Sequence, residues 1–187
     1  NHLRKNIKFE KDYQKRLEII TALVLSGLVF KEYIDNYNIG IKELDKIVKN
    51  YFDADGFPLT RNPTDLVFFS KYLLLCKECI KDAQLYVPEF LDTIIDKNIV
   101  CIKNILTPNN SIPLFNGGIE ENLEDFNKFI DELEYKSKNI KRIIGGIHIL
   151  NIKNNLIFFD SGEPPKKGFS KSYQSGPLSF EYYLDGK

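Results

Sequence analysis

Arg61 and Asn62 stand side by side in the stretch Asp55-Gly56-Phe57-Pro58-Leu59-Thr60-Arg61-Asn62-Pro63, a polar, turn-forming island between two helical patterns. Asp55-Gly56 and Pro58 already meet the needs of a turn, so Arg61 and Asn62 call for a reason of their own. A guanidinium offers a rigid fork of donors that matches a carboxylate, and a neighbouring side-chain amide adds a neutral donor. Together they suit an acidic ligand. Each also has a structural reading. Asn62 precedes Pro63 at the start of a helical pattern and stands where a cap is needed, which is compatible with an anion site at the same helix start. Arg61 has Asp53, Asp55 and Asp65 close by in sequence as ion-pair partners.

Other residue types that carry chemistry are sparse. Cys76 and Cys79 form a C-x-x-C pair with Cys101 downstream, but they lie in a helical pattern and the only histidines are His2 and His148. No tetrahedral ligand set can be completed, so the cysteines read as small core residues, and we assign neither a metal nor a cofactor. His148 lies between Ile147 and Ile149 in a strand pattern, where packing or hydrogen bonding is its plainer role and proton transfer the functional one. No Ser-His-Asp arrangement can be built around it. Leu114-Phe115-Asn116-Gly117-Gly118 reads as a loop with left-handed backbone positions, and Tyr173-Gln174-Ser175-Gly176 supplies a phenol and an amide just before the last strand. Edge-strand hydrogen bonding is the structural alternative for that segment.

Helical periodicity positions the first group. Leu17, Ile20, Val24 and Leu28 mark one stripe, and Ile41, Leu44, Ile47, Val48 and Tyr51 a second. Leu66, Phe69, Leu73, Cys76 and Ile80 follow, then Phe90, Ile94, Ile95 and Ile102, and last Leu123, Phe126, Ile130 and Leu133. Five helices are predicted, with Pro63 and Pro88 in first-turn positions. After Asn139 the period becomes two. Ile147 and Ile149 face opposite to His148 and Leu150, Asn154-Asn155 turns the chain, and Leu156 to Phe159 resume a strand. Leu178, Phe180, Tyr182 and Leu184 alternate with Ser179, Glu181 and Tyr183 as a half-buried strand before Asp185-Gly186, a hairpin signal with no return strand. The expected fold class is α+β, divided near residues 135 to 142 into a helical part, 1–138, and a strand part, 139–187. The chain reads as a piece of a longer protein.

Composition narrows the partners. The 187 residues are 43% hydrophobic, enough for a core, and 26 basic residues offset 26 acidic ones. No global field draws in nucleic acid, so an acidic partner must be held locally. The longest apolar run, Leu17 to Phe30, is interrupted by Glu18, Thr21 and Ser26 and reads as a buried helix rather than a transmembrane segment.

Taken in order, Asp55-Gly56 through Thr60-Arg61-Asn62-Pro63, Leu114-Phe115-Asn116-Gly117, Asp160-Ser161-Gly162 with Pro164-Pro165, and Gly176-Pro177-Leu178-Ser179-Phe180-Glu181 resemble the heparinase II/III-like family of bacterial polysaccharide lyases. The resemblance runs from about Arg16 to the C-terminus and corresponds to a middle part of a full-length member. It implies the last helices of an α/α-toroid followed by the first strands of an antiparallel β-sandwich. The activity it implies is β-elimination on a uronic-acid polysaccharide, with a periplasmic setting one expectation and the compartment otherwise open. Such chemistry needs a donor that neutralises the uronate carboxylate, a base for the C5 proton and an acid for the leaving oxygen.

On that resemblance, Arg61, Asn62, Tyr173 and Gln174 are the catalytic candidates and Asp55, Asn116 and His148 the substrate-binding ones. Arg61 or Asn62 would hold the carboxylate. Tyr173 would serve as base and acid, with Arg61 as the cation that lowers its pKa. Two positions depart from the family pattern. Pro58 stands where an Asp-Gly-x-His pattern places histidine, and Gln174 stands where histidine is expected four residues before the Leu-Ser-Phe-Glu strand. An amide can neutralise a carboxylate but cannot shuttle a proton. The alternative reading is therefore a non-catalytic binding protein for acidic glycans on the same scaffold.

Overall fold

The computed structural model describes residues 2–135, 140–174, 176 and 178–184. Among these residues, six α-helices precede a four-stranded sheet: α1 (His2–Asn6), α2 (Tyr13–Val29), α3 (Ile34–Tyr51), α4 (Pro63–Asp82), α5 (Glu89–Ile105), α6 (Glu124–Glu132), β1 (Ile143–Ile144), β2 (Ile147–Ile152), β3 (Asn155–Asp160) and β4 (Phe180–Leu184). The fold is α+β, and the five long helices fall on the five predicted stripes. The expected division near 135 to 142 and the Asp185-Gly186 turn fall wholly or partly outside the described residues.

The chain separates into two compact units. The first comprises 1–51 and 68–95, and the second 52–67 and 96–187. In the first, Asp12 caps α2 by accepting from the N–H groups of Gln14 and Lys15, satisfying two donors that a helix start leaves open. Helix α2 buries Leu17, Ile20, Leu23 and Val24, and α3 buries Leu44, Ile47 and Tyr51. The Tyr51 ring stacks on Phe69 at 4.1 Å between centroids. The apolar run from Leu17 is thus buried along one side of a helix, while Val29 and Phe30 at its end are exposed.

In the second unit the sheet runs β1-β2-β3-β4, antiparallel throughout. Ile147 and Phe158 face a core built with Phe57, Leu66, Cys101, Ile102, Ile105, Ile112, Phe115, Leu123 and Ile144. Each fully buried aliphatic or aromatic side chain of this kind contributes about 1.5–3 kcal/mol. Two local expectations are corrected. Ile152 pairs with Asn155, so Lys153-Asn154 forms the two-residue turn and Asn155 begins β3. In β4 it is Tyr183, its ring edge-on to Phe158 at 6.1 Å, that faces the core, while Phe180, Tyr182 and Leu184 are exposed. Strand alternation tells which residues share a face, but not which face is covered.

Candidate functional site

The island, with the two residues before it, is organised by Asp53. Asp53 Oδ1 accepts from the N–H groups of Asp55 (2.9 Å) and Phe57 (2.8 Å), and its own N–H donates to Phe57 O at 2.9 Å. The turn chemistry assigned to Asp55-Gly56 therefore rests on the residue two positions earlier, as an aspartate reaching forward to the backbone does. Burial pushes the Asp53 carboxyl above its ordinary pKa, against the opposing effect of those backbone donors. Asn98 Nδ2 donates to Gly56 O at 2.6 Å and holds the turn from below. Pro58 is buried and its strand-like bridge is to Phe52.

Asn62 caps α4, its Oδ1 accepting the Thr64 N–H at 2.8 Å, with Pro63 as first helical residue. That bond sets which end of the amide is engaged. The Nδ2 end donates to no group among the described residues. Arg61, in contrast, is almost fully used. Nε donates to Gly145 O at 2.9 Å, Nη1 to Gly162 O and Glu163 O at 3.1 Å each, and Nη2 pairs with Asp160. One bond from Nε, two from Nη1 and one from Nη2 occupy four of the five guanidinium N–H donors. None of the nearby acids is its partner, because each is committed elsewhere. Asp53 binds backbone, Asp55 pairs with Lys141 at 2.6 Å, and Asp65 accepts from Thr60 Oγ1 at 2.6 Å. The partner lies at the end of β3, where the alternation that points Phe158 into the core also points Asp160 inward.

The approach of the guanidinium depends on missing side chains. A Cβ on Gly162 would overlap the Arg61 guanidinium, and one on Gly146 would lie 2.9 Å from Arg61 Nη2. Gly145 and Gly146 both have positive φ (54° and 80°), which makes the tight β1-β2 turn and turns the Gly145 carbonyl to Arg61. Arg61 itself adopts φ 58°, a conformation sparse for a side chain of its kind, and Asn116 adopts φ 55°.

Asn116 joins the same network. Its Nδ2 donates to Arg61 O (3.0 Å) and to Asp160 Oδ2 (3.1 Å), and Ile119 N–H donates to Thr64 Oγ1 at 2.9 Å, so the 115–119 turn lies along the 61–64 segment. Glu181 Oε1 in β4 accepts from Leu114 N–H at 2.5 Å and Glu181 Oε2 from Tyr183 Oη at 2.8 Å. A Cβ on Gly117 would meet the backbone of Ser172, so the segment that carries Tyr173 and Gln174 is packed beside the Asn116 turn. Tyr173 is half-buried and Gln174 exposed. Ser175 and Pro177 of the two neighbouring motifs lie outside the described residues.

Arg61, Asn62, Asn116 and the start of the Tyr173-Gln174 segment are thus adjacent. His148 is elsewhere, and Asp55 meets Arg61 only across a shared cavity wall. Asp55 is exposed, tied to Lys141, and lies with Asp53, Pro58, Leu59, Arg61, Ile143, Glu163, Pro165 and Phe169 on the wall of a cavity of about 380 Å³. His148 is on the face of β2 opposite the core, its ring edge-on to Phe159 at 6.3 Å. Asp160 belongs to the Asp160-Ser161-Gly162 motif, and its role becomes visible only in the fold. Its signal was its place at the end of an apolar strand, where a carboxylate on the inward face demands a partner.

The thiols fit packing. Cys76 is buried against Thr21 with its pKa pushed up to about 11, and burial pushes Cys101 up to about 12. Among the described residues no group of three or more His, Cys, Asp or Glu side chains is placed to hold a metal ion, and no helix is long and apolar enough to cross a membrane.

No protein-family model matches the chain, and no curated protein does. Solved structures do. The chain is similar to heparinase III (TM-score 0.77, 14% identity, 95% of this chain and 34% of that one). It is also similar to a mutant of a heparan sulfate lyase from Pedobacter heparinus (TM-score 0.74, 17% identity, 92% and 31%). A second heparinase III gene product gives a TM-score of 0.76 at 15% identity over 92% of this chain and 31% of that one. The chain spans about a third of the length of the structures it matches, and at these identities the likeness is one of fold: an α+β scaffold of the kind found in heparinase III.

Proposed function

We propose that this chain is part of a polysaccharide lyase-like protein that acts on a uronic-acid polysaccharide, such as a glycosaminoglycan, by β-elimination. Residues 1–138 would be the end of an α/α-toroid and 139–187 the start of a β-sandwich. The exposed face of the sheet supports the second assignment. Ile143, Leu150, Ile152, Phe180, Tyr182 and Leu184 share that face, and an apolar outer face suits a second sheet packed on it.

The observation that carries the reading is the network that joins Asn116 to the Arg61–Asp160 pair, with Asn62 the residue after Arg61 and Ser172 packed against Gly117. The geometry favours Asn62 over Arg61 for the carboxylate. The capping bond engages Asn62 Oδ1, which leaves Nδ2 as the donor, whereas Arg61 keeps one N–H and acts as a positive charge held behind the site. Tyr173 would take the C5 proton and return one to the leaving oxygen, and Gln174 would support the substrate beside it. Asp55 would contact a more distant sugar unit, whereas His148 lies on the sheet face assigned to the second sheet and would be covered there.

The alternative is a non-catalytic glycan-binding protein, favoured by Pro58, which is buried in the turn in place of a histidine, and by Gln174. The test is incubation of the full-length polypeptide with uronate polymers, following the absorbance of the unsaturated product. A rise that Tyr173→Phe abolishes is expected. Binding with no rise would leave only the alternative, and neither binding nor cleavage would remove both.

A further inference from the structure

Asn116 has one orientation open to it. Both N–H bonds of its side-chain amide are donated, to Arg61 O at 3.0 Å and to Asp160 Oδ2 at 3.1 Å. Turning the amide over would set its oxygen against a carbonyl and a carboxylate, acceptor facing acceptor with no proton between them. Asp160 is in turn fixed by Arg61 Nη2 and by the Gly162 N–H at 3.1 Å, and it is 5% exposed. The remaining function of Asn116 is its Oδ1, which accepts no hydrogen bond among the described residues. The amide that carries it sits on the Arg61 carbonyl, one residue before Asn62, whose Nδ2 donates to no group among the described residues.

We infer that Asp160 is a positioning residue that locks Asn116 as a hydrogen-bond acceptor, so that the site reads a free sugar hydroxyl beside the carboxylate held by Asn62. The second half rests on the uronate reading above, while the first stands on the geometry alone. A carbonyl oxygen at that point attracts a hydroxyl and disfavours an esterified oxygen, which has no proton to offer and adds bulk. Asn116 is therefore a specificity residue and not a second carboxylate ligand. Asp160 acts through it without touching the ligand.

The test uses the full-length polypeptide labelled with 15N-asparagine, and polygalacturonate and alginate before and after chemical O-acetylation. In the wild type the Asn116 side-chain amide protons exchange slowly with solvent. In Asp160→Asn they exchange at least tenfold faster while thermal unfolding stays cooperative. Binding of the unmodified polymers is at least tenfold tighter than binding of the acetylated ones, and the ratio falls towards one in the variant. A purely structural role would lower affinity for both forms in parallel and leave the ratio intact, which would overturn the specificity claim. Unchanged amide exchange would overturn the positioning claim. Faster exchange in Asp160→Asn, with a wild type that binds none of the polymers, would uphold positioning and remove the uronate reading. Should Asp160→Asn fail to fold, Asp160→Glu, which keeps the charge and displaces the carboxylate, carries the same comparisons.

Discussion

Replacing Arg61 by alanine removes a cation from the place where its counter-ion has no other. The Asp160 side chain is 7% exposed and that of Arg61 10%, so the carboxylate left behind would keep only the neutral donors of Asn116 and Gly162 and no paired cation. Breaking a buried pair by deleting one partner costs about 3–5 kcal/mol. The carbonyls of Gly145, Gly162 and Glu163 also lose a donor, but these residues line the cavity, where water can replace the guanidinium, so they add little. Against a total stability of roughly 5–15 kcal/mol this is a large fraction. Arg61→Lys keeps the charge but not the fork and should cost about 1–3 kcal/mol, the penalty for acceptors left unmet. Removing both charges in Arg61→Ala/Asp160→Ala should be milder than the sum of the single changes, with a coupling of up to about 3 kcal/mol. Urea unfolding followed by circular dichroism measures the wild type, the three single variants Arg61→Ala, Arg61→Lys and Asp160→Ala, and the double variant. An Arg61→Ala change below about 1 kcal/mol, the range of an exposed pair, would refute the argument that this pair is buried and unrelieved.

Three further outcomes follow from the geometry. Gly162→Ala places a methyl group against the Arg61 guanidinium, so it should destabilise by about 1–3 kcal/mol, and combining it with Arg61→Ala should add little to the latter, as unfolding midpoints will show. Because burial raises the folded-state pKa of Asp53, its charged form opposes folding above that pKa, and the penalty fades as pH falls and the folded state takes up the proton first. Asp53→Asn, which keeps the acceptor for Asp55 and Phe57, should therefore be the more stable protein at about pH 7, with the gap closing towards the ordinary carboxylate range near pH 4; a gap independent of pH would contradict this. Cys76 and Cys101 should react with a thiol reagent at mildly alkaline pH only after unfolding, whereas the partly exposed Cys79 reacts slowly in the native protein.

The helices and strands were legible because their signals are local. A spacing of three and four marks a helix face whatever lies across from it, and the period-two pattern from Ile147 to Phe159 marks a strand pair. The Asn62 cap was legible for the same reason, since its partner Thr64 is two residues away. Small shifts came from register. The turn moved by one residue to Lys153-Asn154 because Ile152 and Asn155 face each other.

By itself, then, the sequence determined an α+β chain, its helix stripes, the cap at α4 and the island in which Arg61 and Asn62 meet. Tertiary structure decided what each residue there can do. Local ion-pair rules pointed Arg61 to Asp53, Asp55 or Asp65, yet its carboxylate is Asp160, which only the pairing of β2 with β3 brings inward. The same fold commits both N–H bonds of the Asn116 amide to Arg61 and Asp160 and leaves one face of β4 exposed. Hydrogen bonds and charges are settled by distance in space, and separation along the chain carries no information about that distance once the backbone has turned back on itself.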